Sequence, residues 1–186
     1  MLSRRGFSLI EILVALVVLA LLGGILVPQL VNRLGRAEGS TLVGNLGALV
    51  TALHNFKNDL GRYPSQLVHL TTQPTAAATD LCGRTIPNVT TAWRGPYLQR
   101  AIRPTGLQSG SSTIQNAVTR SPTSTGSPPP GFGELLVSVT DVDNEVWRTV
   151  EAHYDGDASA TTGAVRFPSN TTVRGTLTFR IPIRGC

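Results

Sequence analysis

Residues Gly6 to Val27 read GFSLIEILVALVVLALLGGILV, an apolar run broken by one carboxylate, Glu11. Taken as a helix, Phe7 to Val27 rises roughly 31 Å at ~1.5 Å per residue, against roughly 30 Å of bilayer hydrocarbon, so the stretch is long enough to span a membrane. Arg4 and Arg5 precede it and no comparable basic cluster follows at once. The positive-inside rule then holds the N-terminus in the cytoplasm and sends the remainder across. Glu11 needs compensation, because a charge deep in hydrocarbon costs about 2.5 to 3.5 kcal/mol even on insertion scales. It lies only about 6 Å of helical rise past Phe7, so it either snorkels to the headgroups or pairs with a cation when subunits pack. An amine at residue 7, exposed by removal of the leader, would suit.

Arg4-Arg5-Gly6-Phe7-Ser8-Leu9-Ile10-Glu11 resembles the class III signal of type IV pilins and type II secretion pseudopilins. The resemblance implies cleavage between Gly6 and Phe7 by a prepilin peptidase on the cytoplasmic side, and methylation of the new Phe7 amine. It also implies that Glu11 meets the Phe7 amine of a neighbouring subunit as a filament assembles. Gly6 suits a scissile bond, since glycine keeps the backbone extended and unhindered. Two plainer readings compete. A secretory signal has a shorter, usually uncharged core and a small-residue cleavage site, for which Leu22-Gly23-Gly24 is a poor candidate. A single-span anchor carrying a monomeric extracytoplasmic binding domain needs neither cleavage nor Glu11.

The chain has 186 residues and two cysteines, Cys82 and Cys186. That length allows one exported domain on a membrane stalk, with a modest core. Export into an oxidising compartment favours pairing Cys82 with Cys186 over two free thiols. The formal charge is +5; without Arg4 and Arg5, 14 of the 16 basic residues face 11 acidic ones. The remaining arginines are scattered and lack interleaved aromatics, which argues against a nucleic-acid footprint. His54, His69 and His153 show no metal or nucleophile spacing, and no phosphate loop, dinucleotide fingerprint or nucleophile elbow is present. Catalysis and cofactors are therefore not expected. Asp141, Asp143, Asn144, Glu145, Asp155 and Asp157 lack the EF-hand spacing, and caps and turns account for them without calcium.

Gly23, Gly24 and Pro28 mark a helix kink near the outer end of the apolar run. In filaments of the resembling family this region corresponds to a stretch that loosens on assembly. Beyond it, Leu42, Leu46, Leu49, Leu53, Phe56 and Leu60 form one helical stripe that should bury against a sheet, with Asn45, Thr51, Asn55 and Lys57 facing away or contacting neighbouring subunits. Gly35, Gly39, Gly44 and Gly47 each weaken such a helix by roughly 1 kcal/mol relative to Ala, so packing must hold it. Gly61 and Pro64 should end it near Leu60. The segment from Gly61-Arg62-Tyr63-Pro64 to Trp93-Arg94-Gly95-Pro96-Tyr97-Leu98 resembles the post-helix loop of major pseudopilins, but the Asp-Pro-Trp-Gly stretch and acidic calcium loop of that pattern do not follow. Its aromatic and proline residues suit pinning a loop.

Thr105 to Gly131, rich in Ser, Thr, Gly and Pro, reads as a long exposed loop with a short strand near Thr113 to Val118. Glu134 to Thr140 reads as a strand. Asp141 or Asp143 then caps a short helix through Val146, Val150 and Tyr154, with a strand as the alternative. A turn at Asp155-Gly156-Asp157 precedes strands at Gly163 to Phe167 and Val173 to Ile183.

These readings give an α+β, pilin-like fold with four parts. Residues 1–6 are a leader peptide, 7–27 the membrane half of a long helix, 28–60 its amphipathic half, and 61–186 a domain with a small antiparallel sheet. The resemblance implies a structural subunit of a type IV pilus or type II secretion pseudopilus, seated in the inner membrane lipid with its C-terminal domain outside. Its implied partners are further copies of itself, other pilin-like subunits, prepilin peptidase, and an inner-membrane platform driven by a cytoplasmic ATPase.

Overall fold

The computed structural model describes residues 8–121, 132–156, 159–167 and 174–184, with backbone alone at 25–32 and 132. Gly6, Phe7, Cys186, Asp157 and the Pro-rich run to Gly131 lie outside the described residues, as do the side chain of Pro28 and those of Ile25 to Val27.

Helix α1 runs from Leu9 to Leu60 and stops where the sequence supplies a stop. Gly61 adopts the left-handed conformation, φ 72°, and its N–H closes on the Lys57 carbonyl at 2.7 Å. The stripe carries the packing: Leu42, Leu46, Leu49, Leu53 and Phe56 are at most 1% exposed. Burial of each such side chain is worth about 1.5 to 3 kcal/mol, enough to outweigh the helical glycines. Thr51 and Asn55 face outward as expected. Asn45 and Lys57 do not. Asn45 donates to Ser109 Oγ at 2.8 Å, and Lys57 Nζ donates to the Arg184 carbonyl at 2.7 Å while lying over the Tyr63 ring.

After α1 come a 3-10 turn at Leu67–Leu70, a short helix α2 at Val89–Ala92, and strands β1 (Leu107–Ser109), β2 (Ser112–Ser121) and β3 (Phe132–Asp143). Helix α3 (Asn144–Tyr154) and strands β4 (Val165–Arg166) and β5 (Arg174–Arg184) complete the chain. The strands form one antiparallel sheet in the order β1-β2-β3-β5-β4. The fold is thus α+β, a long helix followed by a small antiparallel sheet. Inward residues Leu135, Val137 and Val139 of β3 and Leu177, Phe179 and Ile181 of β5 join the α1 stripe in one core. Alternation along both strands places them on a single face.

One expectation needs correction. The Ser/Thr-rich stretch after Thr105 is not a loop with a brief strand: β1 and β2 pair as a hairpin, Leu107 to Ile114 and Ser109 to Ser112. Its polar residues are usable because Ser109 and Ser112 are buried with hydrogen-bond partners. The short helix expected through Val146, Val150 and Tyr154 forms once β3 ends, and of its two candidate caps Asp143 serves, its Oδ1 accepting from Glu145 N at 3.0 Å. Asp141 instead sits at φ 59° beside a register shift in β3.

Helix α3 explains two of the glycines. A Cβ on Gly39 would stand 2.5 Å from Thr149 Cβ, and one on Gly35 would stand 2.9 Å from Glu145 Cβ. Tyr154 continues the contact, donating its hydroxyl to the Val43 carbonyl at 3.3 Å. The two helices pair in the same direction along this seam. Gly44, with nothing within 4 Å of an added Cβ, has no such partner in the subunit.

Candidate assembly site

The N-terminal end of α1 is the most unusual surface of the chain. Leu9, Ile10, Leu13, Val14, Leu16, Val17, Leu19 and Leu21 are between 51% and 85% exposed. Residues this closely spaced cover every side of the helix, where a surface helix of a globular domain would show one apolar stripe. An apolar surface of this extent is built to be covered by lipid or protein. Ser8 is the N-cap residue, and its carbonyl accepts from Glu11 N at 3.0 Å, which places Glu11 in the first turn. Its carboxylate stands exposed among these apolar neighbours. Among the described residues no helix is long and apolar enough to cross a membrane; of the expected span of residues 7–27, Phe7 lies outside them and Ile25 to Val27 are described by backbone alone. Gly23 and Gly24 have nothing within 4 Å of an added Cβ, so no contact in the subunit requires them, and α1 is helical through Pro28.

The opposite end of α1 is held by a polar and aromatic clamp that single-residue inspection missed. Asp80 is 1% exposed and gathers Arg62 Nη1 at 2.7 Å, Arg84 Nε at 3.1 Å, and the backbone N–H groups of Cys82 and Arg84 at 2.9 and 2.8 Å. Burial alone would raise this carboxyl, but the Arg62 bond, the two N–H groups and Arg84 outweigh it and hold it below the ordinary 3.8. Only the four-residue spacing of Asp80 and Arg84 hinted at this cluster, since Arg62 lies 18 residues before Asp80. Tyr97 donates to Asp59 Oδ2 at 2.8 Å, and its ring meets Phe56 and Trp93 edge-on. Trp93 Nε1 donates to the His69 carbonyl at 3.0 Å. The aromatic loop is therefore pinned to α1, as its composition suggests, and burial pushes the Tyr97 phenol up to about 12.

No described cysteine is a free thiol. The histidines stay apart, His54 against Tyr63, His153 against Tyr154, and His69 in the loop clamp. Among the described residues no three His, Cys, Asp or Glu side chains are grouped to hold a metal. Asp155 spends both carboxylate oxygens on backbone, accepting from Ala164 N at 2.9 Å and Val165 N at 2.7 Å.

A family profile, the prokaryotic N-terminal methylation motif, matches residues 1–27. The chain carries the prepilin-type N-terminal motif. It is also similar to curated proteins named type II secretion system core protein G. The protein of Klebsiella pneumoniae is 33% identical over 97 residues, 52% of this chain and 65% of the relative. That of Klebsiella michiganensis is 38% identical over 63 residues, 34% and 44% of the two chains. The Escherichia coli K12 protein is 35% identical over 82 residues, 41% and 57%. The matched stretch thus spans about half the length of these relatives. No solved structure matches the chain. The resemblance to pilins and pseudopilins read from the first residues therefore holds beyond the motif itself.

Proposed function

We propose that the chain is a non-enzymatic pseudopilin, a structural subunit of a type II secretion pseudopilus. A prepilin peptidase cuts between Gly6 and Phe7 and the Phe7 amine is methylated. The apolar end of α1, reading as a span over residues 7–27, holds the subunit in the inner membrane with its C-terminal domain outside. A platform powered by a cytoplasmic ATPase then draws it into a filament with further copies and other pilin-like subunits. The observation that carries the reading is a methylation motif at residues 1–27 leading into a helix exposed on every side, with Glu11 in its first turn.

Each step follows from the chemistry of those residues. Outside lipid, exposed leucines and valines find cover only against other apolar helices. Glu11 entering such a core unpaired would be heavily penalised, so pairing with a neighbour's Phe7 amine selects one stagger over others. A bend at Gly23, Gly24 and Pro28 lets the apolar segment leave the membrane at a different angle from the rest of α1. The Cys82–Cys186 bridge ties the C-terminus to the loop clamp after export. The core protein G names of the relatives favour the secretion pseudopilus over a type IV pilus.

Cysteine cross-linking tests polymerisation. Leu16→Cys, 62% exposed in the subunit, should give a covalent dimer in cells carrying peptidase and secretion machinery. Adding Glu11→Ala should leave cleavage intact and reduce the dimer yield about tenfold or more, given the penalty for losing a desolvated pair. Monomer alone at Leu16→Cys would contradict the reading.

A further inference from the structure

We infer that Arg100 and Arg103 form a carboxylate-binding socket for a second copy of this chain, filled by Asp141 and Glu145 of that copy; this rests on the polymerisation proposed above. The two arginines flank Ile102, a core residue 4% exposed whose N–H donates to Thr71 Oγ1 at 3.3 Å. Arg103 also closes a tight turn with Gly106, N–H to carbonyl in both directions at 3.2 and 2.9 Å. Gly106 is obligatory there: φ is 116°, and a Cβ would meet the Ile114 carbonyl oxygen at 2.2 Å. On the other side Tyr97 N donates to the Leu70 carbonyl at 2.7 Å. Both arginines therefore extend outward from backbone fixed at several points, and with Thr105, Gln108 and Thr113 they line a concavity of about 350 Å³.

Both arginines are exposed, and neither meets a carboxylate among the described residues. Two guanidinium forks over a polar concavity suit one or two carboxylates, held by charge-assisted bonds. The same chain displays matching acids. Asp141 is exposed where β3 shifts register, Glu145 follows on the first turn of α3, and neither carboxylate meets a cation among the described residues. The two sets lie at different heights along α1. Glu145 packs at Gly35, whereas Arg100 and Leu107 border a concavity shared with Asn45 and Thr51. The offset is about 15 to 25 Å of helical rise. Within one copy the sets are held apart. Between parallel copies staggered along α1, the acidic end of one reaches the socket of the next, and complementarity of this kind fixes register.

The test uses two differently tagged full-length chains, one with Thr105→Cys and one with Asn144→Cys, expressed with peptidase and secretion machinery. A disulfide-linked heterodimer is expected. Arg100→Glu with Arg103→Glu should reduce its yield about tenfold, and adding Asp141→Arg with Glu145→Arg on the partner copy should restore it to within about twofold. Absence of the 105–144 cross-link while Leu16→Cys still gives the covalent dimer would overturn the socket and leave polymerisation standing. Undiminished yield in the Arg-to-Glu variant would also overturn it. Loss of both cross-links would remove the polymerisation reading itself. Unchanged thermal unfolding of the variants separates lost contact from lost fold.

Discussion

Asp80 shows how one side chain can hold a loop without a metal or a large core. Its carboxylate takes four N–H donors while fully shielded from water, so removing the charge leaves two arginines and two backbone donors short of an acceptor. Asp80→Asn should cost about 2 to 3 kcal/mol, below the figure for a wholly buried pair because Arg62 and Arg84 keep water access. Urea unfolding of the detergent-solubilised chain should show a lower midpoint with unchanged slope. The pH dependence follows in sign. The folded carboxyl titrates below its ordinary 3.8, so its contribution is complete above about pH 4 and is lost as pH falls below it. Asp80→Asn should flatten that acid limb. Tyr97 behaves in the opposite sense. Its phenol is raised from 10.0 to about 12, so its contribution is present below pH 10 and disappears as pH rises towards 12, with its tyrosinate absorbance delayed accordingly.

At the scale of elements, the α1–α3 seam separates two kinds of helical glycine. Gly39→Ala gains helix propensity but drives a methyl into Thr149, and should destabilise by about 1 to 3 kcal/mol. Gly44→Ala meets nothing within 4 Å and should stabilise the isolated chain by about 0.5 to 1 kcal/mol. Equal effects at the two positions would contradict the seam. Leu49→Ala, at 0% exposure, should cost about 2 to 5 kcal/mol, read as a fall in Tm. The stripe behind that last prediction was legible because six apolar residues keep helical period over five turns and Gly61 ends them. The capped helix α3 was legible for a similar reason, Asp143 preceding Val146, Val150 and Tyr154. The β1–β2 hairpin was not, since its buried positions include Ser109 and Ser112 and its burial alternation breaks at the bulge after Ile114. The Asp80 cluster and the Arg100–Arg103 socket depend on segments that only the folded backbone brings together.

For the whole molecule, the chain divides into a core-bearing domain and a helical end that no described residue of that domain covers. The proposed Cys82–Cys186 bridge belongs to the first. Cys186→Ser should abolish the mobility difference between reduced and non-reduced protein, and should lower stability by at most about 4 to 5 kcal/mol in the chain-entropy limit. The loss should fall short of that limit, because Lys57 and the β3–β5 ladder continue to hold Arg184. The helical end belongs to the proposed filament. Its motif was readable before any fold was known, because Gly6, Phe7 and Glu11 lie within six consecutive residues and their chemistry is local.

The most direct measurement is intact mass with N-terminal sequencing of protein recovered from membranes, with and without a co-expressed prepilin peptidase. A chain beginning at N-methylated Phe7 only when the peptidase is present is the predicted result. A chain still beginning at Met1 beside an active peptidase would contradict the account and leave a membrane-anchored domain that does not polymerise.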